Sequence, residues 1–206
     1  MPPMLKGALI AVVVLIVAGA VAGFGYIKSN GLSARAAPGP LETALARRVR
    51  TWAVPSEYRR LANPVLGNEE SVRNGMEHFA DHCATCHAND GSGNTDMGKG
   101  MFPPAPDMRA SETQDLSDGE LFYVIEHGIR FTGMPAWGTG TVEGEDASWH
   151  LVQFIRHLPK LTAEEIDRME GINPRPPQEI RQEIEAERFL EGGDAPTADP
   201  LQPHQH

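Results

Sequence analysis

From Gly7 to Ile27 the chain reads GALIAVVVLIVAGAVAGFGYI, twenty-one residues without a charge. A run of this length matches the roughly 20 residues a helix needs to cross the hydrocarbon core of a bilayer. It exceeds the roughly 7–15 apolar residues of a cleavable signal peptide. The pattern predicts a transmembrane anchor over residues 1–27, with cleavage as the second reading. The tripeptide Ala34-Arg35-Ala36 resembles a small-residue cleavage site but lies well beyond the apolar run.

After this run the apolar positions thin out and change period. Residues 28–67 read as a connecting leg broken by Pro38, Pro40, Pro55 and Pro64, with one short helix over 40–52. A flexible leg of roughly 40 residues would reach about 35 Å. Residues 68–160 form the expected compact domain. Val72, Met76 and Phe79 recur at helical spacing, predicting a helix capped by Asn68 or Ser71 and running through His82. A long loop over 88–114, rich in Gly, Pro and Asp, follows it. Ser117 and Glu120 stand in capping-box register at the head of a second helix. A third starts near Asp146, carries Trp149, Leu151, Val152, Phe154, Ile155 and Leu158, and stops at Pro159. Thr162 and Glu165 form another capping box. That box leads into a helix over AEEIDRMEG, the start of an acidic extension over residues 161–206; from Pro174 onward it has one helix over 178–191, its Ile180 and Ile184 available as a docking stripe, and a disordered end. No strand alternation of useful length interrupts this pattern, so the fold class is all-α.

Charge sharpens the division. The net charge of −10 is unevenly placed. Residues 1–67 hold two acids against eight bases, residues 68–160 fifteen against six, and residues 161–206 eleven against four. An acidic middle and tail exclude nucleic acid as the expected partner, which wants a concentrated basic face. They favour partner proteins with basic docking faces, steered electrostatically. The arginines at 47, 48, 50, 59 and 60 can face anionic lipid, the acidic domain or solvent.

The only cysteines, Cys83 and Cys86, lie in HFADHCATCHANDGSG, residues 78–93, with His87 directly after them. Three chemistries suit this spacing. A dithiol redox motif expects a βαβ context, which the pattern lacks. Zinc would have donors in His78, His82, Cys83, Cys86 and His87, but tetrahedral sites draw ligand pairs from separated segments. Covalent haem attachment uses two thiols as thioethers and places the next histidine under the ring. A central loop poor in large apolar residues suits a domain packed around a big apolar cofactor.

Met134, 47 residues after His87, stands between Gly133 and Pro135 in GIRFTGMPAWG. A glycine permits close backbone approach and a proline stiffens the loop. Met97, Met101, Met108, His127 and His150 are its competitors as an iron ligand. His157, His204 and His206 are expected to be solvated.

Cys83-Ala84-Thr85-Cys86-His87 followed by Gly133-Met134-Pro135-Ala136-Trp137 resembles a class I, single-haem cytochrome c in membrane-anchored form, over about residues 68–160. The resemblance implies about three to five short helices wrapped around one covalent haem c. It implies thioethers from Cys83 and Cys86, with His87 and Met134 as axial ligands to the iron. It further implies that Pro104 accepts the Nδ1 proton of His87, and that Arg130 or Trp137 bonds a haem propionate. Gly75 and Phe79 would cross the last helix at Trp149 or Phe154. The implied function is one-electron transfer to and from redox partner proteins, without a small-molecule substrate. The implied location is the bacterial inner membrane, with the haem domain on the periplasmic side. The rival class is a haem enzyme or gas sensor with an open sixth position, and the weaker third is a zinc module.

Overall fold

The computed structural model describes residues 2–65, 67 and 69–192, and among these there is no strand. Helix α1 (Pro3–Asn30) contains the whole uncharged run. None of its membrane-length window is buried against the rest of the chain. By length and composition it is a membrane anchor or a signal sequence.

The expected leg is shorter than the sequence suggests. Only residues 31–39 separate α1 from α2 (Pro40–Ala53), and α3 (Ser56–Arg59) follows two residues later. Nine residues behave as a coil spanning about 15–18 Å, half the reach expected of a flexible leg. The rest packs on the domain that follows. Its sequence concealed this because the contacts are made by scattered polar and aromatic residues rather than by an apolar run.

The compact part continues with α4 (Glu69–His78), a π turn over Phe79–Cys83, and α5 (Ala84–His87). Two short helices, α6 (Asp96–Gly100) and α7 (Ser111–Gln114), then occupy the segment expected as loop. Next come α8 (Asp118–His127) and α9 (Val142–His157), the latter running into a 3₁₀ turn over Leu158–Lys160. Helices α10 (Ala163–Glu170) and α11 (Pro177–Leu190) close the described chain.

Local chemistry explains these limits. Ser117 Oγ accepts from the Glu120 amide at 3.2 Å while Glu120 accepts from the Ser117 amide at 2.8 Å, the expected capping box. Thr162 and Glu165 repeat it before α10. The third predicted helix starts at Val142 rather than near Asp146, because Thr141 Oγ1 caps it by accepting from Gly144 N. Helix α4 is shorter than expected, since the backbone widens into the π turn after His78. Ser71 lies inside α4 and is buried, so it does not cap; Asn68 lies outside the described residues.

The core forms where α4 crosses α9. A Cβ on Gly75 would stand 2.1 Å from the His150 carbonyl oxygen, so only glycine lets the two backbones meet. Phe79 and Phe154 pack beside this point with ring centroids 5.1 Å apart. Phe154 is thus the crossing partner; Trp149 turns away to stack on Phe122 at 4.1 Å. Asn63, ahead of the domain, donates to the Trp149 carbonyl at 3.1 Å. Behind it, Leu161 and Ile172 pack on the core and Met169 is fully buried within it. The core therefore draws on residues on both sides of 68–160.

Candidate functional site

The two thiols sit at either end of one helical turn. Cys83 closes the π turn, Cys86 lies on α5, and His87 ends that helix. The turn cannot continue as helix, because Ala88 takes φ +59° and turns the chain away. Its carbonyls are held from the following loop: Thr95 Oγ1 donates to the Cys86 carbonyl at 3.1 Å, and the Gly93 amide to that of His87 at 2.8 Å. Gly98 lies directly beneath, where a Cβ would be 2.3 Å from the Cys86 carbonyl oxygen.

The electrostatics suit attachment and ligation rather than dithiol exchange. Burial, with the neighbouring Cys86 second, pushes the Cys83 thiol up to about 12. Burial also raises Cys86. A redox dithiol needs the opposite, a thiol with its pKa lowered. Burial lowers the pKa of His87, which keeps the imidazole neutral with a lone pair available. Its Nδ1 is closed off from solvent and bonded to nothing. The carbonyl of Pro104 therefore does not accept from it here, contrary to the expectation; the loop carrying Pro104 instead anchors through Ala105 N to the Gly98 carbonyl at 2.9 Å.

Met134 is half-buried on the turn after α8, its amide donating to Thr132 Oγ1 at 3.1 Å and its carbonyl accepting from Ile129 N. Two contacts tie this turn to the cysteine segment. Met101, at the end of the loop braced on Cys86, lays its sulfur against Gly133. Trp137 meets His82 edge-to-face at 5.5 Å, and its amide is fixed to the Ile125 carbonyl at 3.0 Å. Arg130 is exposed, on the same turn.

The competing ligands separate by position. Met108 is buried in the core and Met97 is exposed. His127 is exposed and meets the Tyr58 hydroxyl at 3.3 Å, while His150 faces Asp146 at 3.8 Å. Met101 is the one competitor that the described residues bring beside Met134. The expectation that His157 is solvated fails: it is half-buried and pairs with Glu165 at 2.9 Å. His204 and His206 lie outside the described residues. Among the described residues no three or more His, Cys, Asp or Glu side chains are grouped as a metal site.

Residues 70–155 match the family model described as cytochrome C oxidase, cbb3-type, subunit III. This stretch is a cytochrome c domain. No curated protein matches the chain. A cytochrome c domain implies covalently bound haem c, and the donor set here fits it. The two thiols are one turn apart, the histidine after them is neutral with an unpartnered buried nitrogen, and a thioether lies on a linked loop. Large apolar side chains also stand exposed on the segments that follow, Met97 on α6 and Phe131 on the Met134 turn among them, as a big apolar group would require.

Sequence reasoning missed the residues that brace this cytochrome c domain from behind. Asn173 donates to the Ala80 carbonyl at 2.9 Å and exchanges amide bonds with Asn89. Gln114 donates to the carbonyls of Met108 and Ile155, and Arg156 to those of Gln114 and Leu116 as well as to Asp118. These are single polar side chains reaching distant backbone, and no periodicity marks them.

Proposed function

We propose that the chain is a membrane-tethered, single-haem electron carrier, or the cytochrome subunit of a membrane electron-transfer complex, and not itself an enzyme. Cys83 and Cys86 hold the haem by thioethers, and His87 and Met134 ligate its iron. The observation that carries this reading is the half-buried His87 directly after a thiol pair, its pKa lowered by burial and its Nδ1 closed off from solvent with no hydrogen bond, inside the matched span. The description of the matched family, an oxidase subunit, supports the complex-bound form.

Haem c supplies an iron that gains or loses one electron. The chain's own residues do the rest. The Cys86 and His87 carbonyls, fixed by Thr95 and Gly93, hold the attachment turn in place. Gly133 and Pro135 limit the freedom of Met134, and a neutral thioether favours the ferrous ion and raises the potential. Trp137 and Arg130 stand on the Met134 turn where a propionate can be met. No bond is made or broken, so no acid, base or nucleophile is required. The excess of acids over residues 68–160 suits a basic docking face on the redox partner. In this reading α1 is the anchor and the haem domain lies on the outer, periplasmic side of a bacterial inner membrane.

A potentiometric titration of the full chain tests the reading. A one-electron carrier gives about 59 mV per tenfold change in redox ratio, against about 30 mV for a two-electron dithiol. Met134→Leu lowers the midpoint potential, whereas Met101→Leu leaves it close to the parent value. A two-electron slope, or an equal response to both substitutions, contradicts the proposal.

A further inference from the structure

The apolar residues of α2 face away from the protein. Leu41, Leu45, Val49 and Trp52 are 82%, 62%, 51% and 81% exposed. They recur at the spacing of one helix face, at about 100° per residue. The opposite stripe meets the cytochrome c domain: Arg47 pairs with Glu112 at 3.2 Å, Arg50 is half-buried, and Val54 just beyond the helix is buried. The centres of the two stripes stand about 180° apart on the helix. One face touches the domain through these residues, and the other, apolar along its crest with Arg48 on one border and Glu42 on the other, is exposed.

Three observations identify what covers it. Helix α1, long and apolar enough to cross a bilayer, ends at Asn30, and only residues 31–39 separate it from α2. Nine residues span at most about 30 Å when fully extended, so α2 stays near the surface that α1 enters. The charge pattern is that of an interfacial helix: Arg48 borders the stripe, Arg59 and Arg60 follow exposed, and Trp52 ends it. Arginine beside a Leu/Trp face is how an amphipathic helix lies in an anionic headgroup layer.

We propose that α2 is a second membrane contact, its Leu41–Leu45–Val49–Trp52 stripe seated in the headgroup region of the bilayer that α1 spans, with the haem domain carried on its back. The domain then does not swing on a long leg. It is held at the surface in one orientation, through α2 and through α3 with its Tyr58 seated on Phe122 and Tyr123.

The test places one new thiol in the haem-loaded full chain, by Leu45→Cys or Ala46→Cys, neighbouring positions about 100° apart on the helix. Both proteins are reconstituted, sparsely, in phosphatidylcholine vesicles containing phosphatidylglycerol. The rate of modification by a charged, bilayer-impermeant maleimide is read by peptide mass. Both positions are exposed in the chain itself, so bilayer seating makes the thiol at 45 react at least about tenfold slower than that at 46. Equal rates would mean that the helix stands off the bilayer and would overturn the proposal. Protection at 45 that disappears as protein is diluted in lipid would assign the stripe to a second copy and overturn it as well.

Discussion

At Gly75 the backbones of α4 and α9 come so close that a Cβ would meet both the His150 carbonyl and the Phe154 side chain. Neither helix can move without disturbing the Phe79–Phe154 packing that supports the π turn carrying Cys83. Gly75→Ala is therefore expected to destabilise the domain by about 1–3 kcal/mol, the usual range for overpacking. Thermal unfolding of the haem-loaded protein measures it, and an unchanged Tm would show that the crossing yields easily. Spacing alone singled out the candidate residues in the sequence: Cys83, Cys86 and His87 by adjacency, Met134 by its flanking Gly133 and Pro135. Whether His87 Nδ1 has a partner was not legible. A backbone carbonyl carries no sequence identity, so Pro104 was assigned by resemblance and the structure does not make that bond.

Among the helices, those with a side-chain cap and an apolar stripe matched the pattern read from the sequence. Both capping boxes, at Ser117 and Thr162, form as written. Helices α6 and α7 escaped notice because each is a single turn with glycine or polar residues and no stripe to read. The start of α9 was hidden by Gly144, which the Thr141 cap tolerates. Helix α10 was read correctly as helix but not as core. An amphipathic helix of about two turns looks the same in sequence whether its Met169 meets solvent or protein. In the fold Met169 is fully buried and Asn173, just beyond, clasps Asn89 and the Ala80 carbonyl behind the haem motif. Met169→Ala is expected to cost about 2–5 kcal/mol, as for other buried large-to-small changes. Ile184→Ala, on exposed α11, is expected to cost a small fraction of that, which denaturant titration of the two variants distinguishes. Similar losses at both sites would place α11 in the core and contradict the packing.

Across the molecule, the division of charge follows the architecture. The basic first third contains the membrane-length helix and the arginine-bearing α2, while the acidic remainder contains the cytochrome c domain and its C-terminal helices. The boundary falls in a different place from the one the sequence suggested, because α2 and α3 adhere to the domain through Arg47, Tyr58 and Asn63. That adhesion converts a long leg into a short one. It leaves the acidic surface of the domain available to a partner that reaches the membrane.

The central claim is an iron filled on both sides by His87 and Met134, and the most direct test is the visible spectrum of the dithionite-reduced protein before and after carbon monoxide. The account predicts a sharp low-spin c-type spectrum that carbon monoxide leaves unchanged. A spectrum that shifts readily would mean an open sixth position, and would contradict the carrier in favour of a haem enzyme or gas sensor.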